Sequence, residues 1–542
     1  MAIKSPYNFV PINNEIFTNP SDSYDLLQYC QDVPFKDAEC GIIRGTIENI
    51  SPLFIRNGHG QNTDDLYSSY FESNKDKIYF IPATSIKGML RNILEILSFA
   101  KMKPFNNHTI ESHKISDGIH QNNSDKLDLC EALFGVVNED GNNNLKGRVS
   151  ISNAIATTII PDNSLINDSG VLASPKPSFF PLYLSHSSRE KKYSRYTDPS
   201  ITIAGRKRYR VHQDSSVKKL PIQNNNDDVI STINAIPSGT KFDFCISLHN
   251  VRPYEIGAIL SALYLHKTEG VWNNIGAAKP FGYGKIKCNN ISLSFFKENE
   301  DFYLSSFEEQ MTYFTFDKLN LLWKNTPQIK SLMQIASEHS PDIVSFMSSE
   351  ESKRLKDNFD TLNEAPHTVN SFLSDDKIRE ITEVISIKHK EAKEFEIRTL
   401  ISNNKLNEAQ DSLKEYESLY GYTPISDQFH QEIDTKRKEQ INNNQATTTI
   451  TSSLDERLNN VLPNGKFAVT TFKVCKQKID QWSKNSNAIN EKEIEVIHKT
   501  IIRLKANPDK KEKSLWDKFD STIWTTIQQL VGRDTAQMWY NE

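Results

Sequence analysis

Lysine, arginine and glycine residues in two distant segments are the part of this sequence best equipped for chemistry, and the chemistry they suit is the holding of phosphate. Ile275 to Ile286 reads Ile-Gly-Ala-Ala-Lys-Pro-Phe-Gly-Tyr-Gly-Lys-Ile. Gly276, Gly282 and Gly284 permit left-handed backbone angles and close approach to a neighbour, while Lys279 and Lys285 add positive charge. Such a loop is either a cradle for an RNA phosphate or a plain turn between a helix and a strand. In the second segment, Ile78 to Ala100, Thr84 or Ser85 is placed to cap a helix. Its apolar residues Ile86, Met89, Leu90, Ile93, Leu94 and Leu97 recur with helical spacing. Lys87, Arg91 and Glu95 fall four apart on the other side, so Ser85, Lys87 and Arg91 would meet an anion at the helix start, or Lys87 and Arg91 simply form a solvated face.

A third concentration of charge lies between His186 and His212. Eight Lys or Arg residues stand there against two acids, interleaved with Tyr193, Tyr196 and Tyr209. Its densest part is Arg206, Lys207, Arg208, Tyr209 and Arg210. Cations hold phosphates and tyrosines stack on unpaired bases, the combination that single-stranded RNA binders need; the other reading is a solvated loop.

The elements that must position these residues follow from periodicity. Ile43, Gly45 and Ile47 alternate as a first strand, Ile78 to Ile81 makes a second, and the helix from Ser85 precedes a strand over Val149 to Ile155. Phe242, Phe244, Ile246 and Leu248 alternate, a helix starts at Pro253, and a strand follows the glycine loop. The fold class expected is α+β: a ferredoxin-like (RRM-like) βαββαβ core with a long insertion over about 157–240, followed by α-helical C-terminal regions. The expected domains are a core over 1–300, a helical extension over 301–435 with a hairpin around Asn403-Asn404, a linker over 436–453 and a small helical domain over 454–542.

Composition sets limits. At 542 residues the chain is long enough for two to four domains, and its 37% hydrophobic and 25% charged content is that of an ordinary globular protein. Nothing in it suits a membrane span or an apolar signal core, and six scattered cysteines without a Cys-x-x-Cys pair predict a reduced, cytoplasmic setting and no structural metal. A net charge of −5 means that RNA contact must come from local positive patches.

Taken together, the motifs resemble the RAMP superfamily of CRISPR-associated proteins. Pro82 through Gly88 is similar to the family's proline-small-serine-hydrophobic-lysine-glycine helix start, and Gly276 through Gly284 to its glycine-rich loop. Between them, Leu133-Phe134-Gly135 and Gly147-Arg148-Val149 resemble a further family pair. Ser5 to Pro11 and Ile203 to Tyr209 resemble marks of a type III (Csm/Cmr-like) branch. The resemblance implies a thumb-like insertion and an RNA-binding subunit of a type III effector ribonucleoprotein. Its partners would be guide RNA, complementary target RNA and other effector subunits.

The resemblance also implies where catalysis would lie. Type III backbone subunits that cut RNA use an aspartate in the loop before the helix start, which here makes Asp64 or Asp65 the position to suspect, with Mg²⁺ as the only cofactor and that only for a nuclease. The same two residues make an ordinary polar turn. Relatives that process guide RNA use a histidine, for which His59, His212 and His249 are the candidates. A third possibility is a scaffold whose helical C-terminal third docks protein partners.

Overall fold

The computed structural model describes residues 6–18, 33–56, 70–73, 76–102, 127–137, 144–171, 183–184, 203–213, 217, 230–339, 368–440 and 538. The chain divides into two units, Met1–His389 and Lys390–Glu542. Asp64, Asp65, His59 and the expected 454–542 domain, apart from residue 538, lie outside the described residues.

The first unit runs β1 (Tyr7–Val10), β2 (Glu39–Asn49), β3 (Tyr70–Ser73), β4 (Asp76–Ile81), α1 (Ala83–Leu97), α2 (Leu129–Phe134), β5 (Gly135–Val136), β6 (Leu145–Lys146), β7 (Val149–Ile151) and β8 (Ala154–Ala156). It continues with β9 (Ile166–Val171), β10 (Arg206–Tyr209), β11 (Val211–His212), β12 (Ile230–Ala235), β13 (Lys241–Val251), α3 (Pro253–Tyr264), β14 (Asn273–Asn274) and β15 (Lys285–Ser294). After these come α4 (Glu300–Leu319), α5 (Pro327–Ala336) and β16 (Glu338–His339).

An eight-stranded sheet forms the centre, in the order β14-β15-β2-β13-β8-β4-β3, with β7 also paired to β13. Every pairing in it is antiparallel. The alternation of Ile43 and Ile47 in β2 and of Phe242, Phe244 and Ile246 in β13 puts these side chains in the core. Along α1, Ile86, Leu90, Ile93, Leu94 and Leu97 are fully buried, and Trp323 fastens the end of the helix by donating its indole N–H to the Leu97 carbonyl at 2.9 Å.

Helix α3 is buried along most of its length, from Tyr254 through Leu263, because it lies between α1 and α4. Gly257 makes that possible: a Cβ there would run into the Tyr303 carbonyl oxygen of α4. The Gly147-Arg148 motif has a structural task. Arg148 is 3% exposed and clasps Glu255 at the start of α3 with two bonds of 2.5 and 2.8 Å, while also donating to the carbonyls of Ala132 and Asn250. One guanidinium thus ties α2, the end of β13 and α3 together.

Two expectations, the helix cap and the first residues of the linker, need correction. The helix begins at Ala83 with Pro82 as its cap residue and no side-chain cap, so neither Thr84 nor Ser85 caps it; the Ala83 N–H is instead taken by Asn153 Oδ1 at 2.9 Å. The 157–240 region contains ordered pairs: β9 with β12, and β10 with β1 at the N-terminus, in the register Tyr7 to Tyr209 and Val10 to Arg206. Position 436 lies inside a helix over 424–440.

In the second unit, α6 (Asp375–Ser402), within which the boundary between units falls, is followed by α7 (Leu406–Tyr420) and the 424–440 helix. The turn between α6 and α7 places Asn404 at φ 59°, where a short polar side chain is tolerated. Ile397, Ile401, Ala409, Leu413, Tyr416, Phe429 and Ile433 form its core, whereas Phe395 is exposed. Among the described residues no helix is long and apolar enough to cross a membrane.

Candidate nucleic-acid interface

The two distant segments meet. A groove of about 600 Å³ is lined by Ser85, Gly88, Met89 and Asn92 of α1, by Lys207, Arg208 and Tyr209 of β10, and by Asn274, Ile275, Gly276, Ala277 and Lys279, with Ile55 and Arg56 completing it. Four cations and no carboxylate stand among these residues.

Strand β10 is what brings the charge in. Side chains two apart on a strand share a face, and here Arg206 and Arg208 both reach α1. Arg206 pairs with Glu95 at 2.8 Å and donates to the carbonyls of Ala100 and Lys101, so it anchors the strand. Arg208 donates to Asn92 Oδ1 at 2.6 Å and stays half-buried on the groove wall. On the opposite face, the Lys207 ammonium sits 3.9 Å from the centroid of Tyr7, lies 5.2 Å from those of Tyr183 and Tyr209, and donates to the Tyr183 hydroxyl at 2.8 Å. Tyr209 therefore serves first as a wall for Lys207.

Burial in a cationic site leaves its mark on the titrating groups. Arg208 is pulled down to about 10 by desolvation and remains charged at neutral pH. Burial, with repulsion from Arg208 behind it, lowers Lys279 to about 8. Desolvation also lowers Lys207 and raises Tyr209. The like charges are held near one another with no acid among the described lining residues, an arrangement that favours an anionic ligand.

The glycine loop works differently from a cradle of open amides. The amides of Ala277 and Gly284 donate to the carbonyls of Phe54 and Pro52, and those of Phe281 and Gly282 donate within the loop. Gly276, at φ 86°, lies so close to the Phe54 carbonyl that a Cβ would collide with it; Gly282 and Gly284 also hold positive φ. The glycines thus press the loop onto residues 52–54 and leave Lys279 to face the groove.

Several predicted site residues are committed elsewhere. Lys285 is 3% exposed, pairs with the exposed Glu338 at 2.5 Å and lies over the Trp272 ring, so it is a buried, partnered ammonium and not a groove cation. Lys87 donates to the Phe134 carbonyl at 3.2 Å, and Arg91 pairs with Glu95 at 3.1 Å. Arg210 is buried, and its amide donates to the Pro6 carbonyl. His212 is buried in the β11–β16 pair, while His249 is exposed with its Nδ1 3.4 Å from Cys40 Sγ; neither lines the groove. Among the described residues no cluster of three or more His, Cys, Asp or Glu side chains is arranged to hold a metal ion.

Arg56, Asn92 and Asn274 belong to the groove although sequence reasoning passed over them. Asn92 had a readable signal, standing four residues after Gly88 and seven after Ser85 on one helical face. Arg56 and Asn274 had none, since contacts distant in sequence put them there: the glycine loop against residues 52–54 for the first, and the pairing of β14 with β15 for the second.

Residues 46–287 match the RAMP superfamily. The stretch includes α1, Arg148, β10 and the glycine loop. No curated protein matches the chain. Among solved structures, a chain of the "Cryo-EM structure of the Type III-B Cmr-beta bound to cognate target RNA" is 13% identical, with a TM-score of 0.24, over 47% of this chain and 61% of that one. A chain of a "Type IV-B CRISPR Complex" is 15% identical, with a TM-score of 0.26, over 48% of this chain and 93% of that one. The first of these is thus matched over less than two thirds of its length, and neither likeness defines a residue correspondence.

Proposed function

We propose that the chain is an RNA-binding subunit of a CRISPR effector ribonucleoprotein, of the type III kind its motifs resemble, and that the groove holds the sugar–phosphate backbone of guide RNA. It would thereby help to recognise complementary target RNA. The observation that carries this reading is the groove wall, where Arg56, Arg208 and Lys279 stand together with no carboxylate among the described lining residues. A polyanion relieves their mutual repulsion.

The superfamily match over 46–287 supports the assignment, since it spans the segments that meet in the groove. A ferredoxin-like core is supported by the central strand order β15-β2-β13-β7/β8, with α1 between the first and second of these strands in sequence and α3 between the third and fourth.

The test is a salt titration of single-stranded RNA binding by anisotropy. Arg208→Ala and Lys279→Ala should each flatten the log–log slope by ~0.7 per phosphate contact removed. Lys285→Ala serves as the comparison, because an interior ammonium should leave the slope where it was. Parent-like slopes in both groove variants would defeat the assignment.

A further inference from the structure

Two asparagines on the groove wall are turned in opposite senses, and the partner of each dictates its orientation. Asn92 accepts from the Arg208 guanidinium through Oδ1 at 2.6 Å; a guanidinium only donates, so the amide oxygen faces it and the NH₂ end is left over. Asn274 is the reverse. Its Nδ2 lies 3.3 Å from the Tyr209 carbonyl oxygen, which only an NH₂ end can satisfy, so Oδ1 is the end left over. That oxygen takes no donor from the described residues, and unlike Asn273 Oδ1 next to it in sequence it is not closed off from solvent. Asn274 is half-buried, lines the groove and is held in place by the pairing of β14 with Lys285 of β15.

Phosphate does not explain an amide oxygen in this place. Arg56, Arg208, Lys279 and the NH₂ end of Asn92 all donate, as an anionic oxygen requires, whereas a second acceptor would repel it. What suits the Asn274 oxygen is a neutral donor close to a phosphate. Arg208 and the carbonyl that holds Asn274 belong to successive residues of β10, so the cation and the acceptor are fixed to neighbouring positions of one strand. Along an RNA backbone the group that donates is the ribose 2′-hydroxyl, and DNA has no counterpart.

We infer that Asn274 reads the sugar: the 2′-hydroxyl of a nucleotide whose phosphate lies at Arg208 donates to Asn274 Oδ1, which makes the groove selective for RNA over DNA without reading a base. Resting on the groove as the RNA site, this assignment adds the residue that chooses the kind of nucleic acid. Asn274 carries no charge and therefore leaves the salt dependence alone.

Anisotropy on the full chain with two single strands of one sequence tests it, one of RNA and one in which fluorine replaces every 2′-hydroxyl, keeping the sugar pucker of RNA but unable to donate. The parent should bind RNA at least threefold more tightly than the fluorinated strand. Asn274→Ala should lower that preference by roughly three- to tenfold, the worth of one hydrogen bond, by weakening RNA and leaving the fluorinated strand where it was. Its salt slope should stay that of the parent. A purely structural role for Asn274, through its bond to the Tyr209 carbonyl, would weaken both strands alike and keep the preference, and that result overturns the assignment. So does equal binding of the two strands by the parent. In either case Arg208→Ala still flattens the salt slope if the groove holds RNA, so the two readings fail separately; a parent-like slope in Arg208→Ala and Lys279→Ala removes the groove and the sugar contact with it.

Discussion

Arg208 and Lys279 line one groove from opposite parts of the fold, and the charge of the first lowers the proton affinity of the second. β10 brings one and the turn before β15 brings the other. Among the described lining residues neither meets a carboxylate, so their repulsion is present in the unliganded groove.

The pH dependence of RNA binding follows from that repulsion. With Lys279 near 8, below the ordinary lysine value, its ammonium is lost as pH rises past about 8, and the phosphate it would hold raises its proton affinity. RNA affinity should therefore fall with rising pH above that point, by at most ~tenfold per pH unit for one coupled proton. Lys279→Arg should abolish the decline, as read by anisotropy at constant ionic strength.

Asn92 acts through Arg208. The 2.6 Å bond to Asn92 Oδ1 holds the guanidinium on the groove wall, and Asn92→Ala should weaken RNA binding several-fold while leaving the salt slope unchanged, because the charge remains. A slope reduced as far as in Arg208→Ala would mean that Asn92 does more than position its neighbour.

Gly88 offers a way to block the groove without harming the fold. It is exposed, lines the groove, and a Cβ built on it meets nothing within 4 Å. Gly88→Ala should raise stability by ~0.5–1 kcal/mol, as for a helical glycine replaced by alanine. Gly88→Glu should fold equally well and reduce RNA affinity at least tenfold. Thermal melts and anisotropy on the same two variants check both statements.

The Arg148–Glu255 clasp should behave as a buried pair. Arg148→Met leaves a carboxylate with 0% side-chain exposure without its partner and should cost ~3–5 kcal/mol by denaturant unfolding. Replacing both, Arg148→Met with Glu255→Leu, should recover much of that loss, since the remaining cost is chiefly the carbonyl bonds Arg148 makes to Ala132 and Asn250.

How far the sequence could be read depended on the distance over which the deciding interaction acts. Alternation around Ile43 and Ile47 and the helical spacing from Ile86 to Leu97 are local patterns, and both elements are present. The meeting of the helix start with the glycine loop was also foreseeable, from the types and order of residues in each segment. What escaped was which cations are already taken. Lys285 is matched by Glu338 and Arg206 by Glu95, partners far away in sequence whose approach no periodicity announces. Reading Thr84 or Ser85 as a cap failed for a similar reason, because the first amide of α1 is met by Asn153, from the turn between β7 and β8.

The pairing of β1 with β10 has a consequence for the order of events during synthesis. Tyr7 lies opposite Tyr209, and the groove that this ribbon helps to wall is closed only by the turn leading into β15. A nascent chain must therefore emerge past Tyr209 before its first strand meets its partner, and past Lys279 before the groove is complete, the slow, non-local kind of assembly. No shorter N-terminal fragment contains a finished groove.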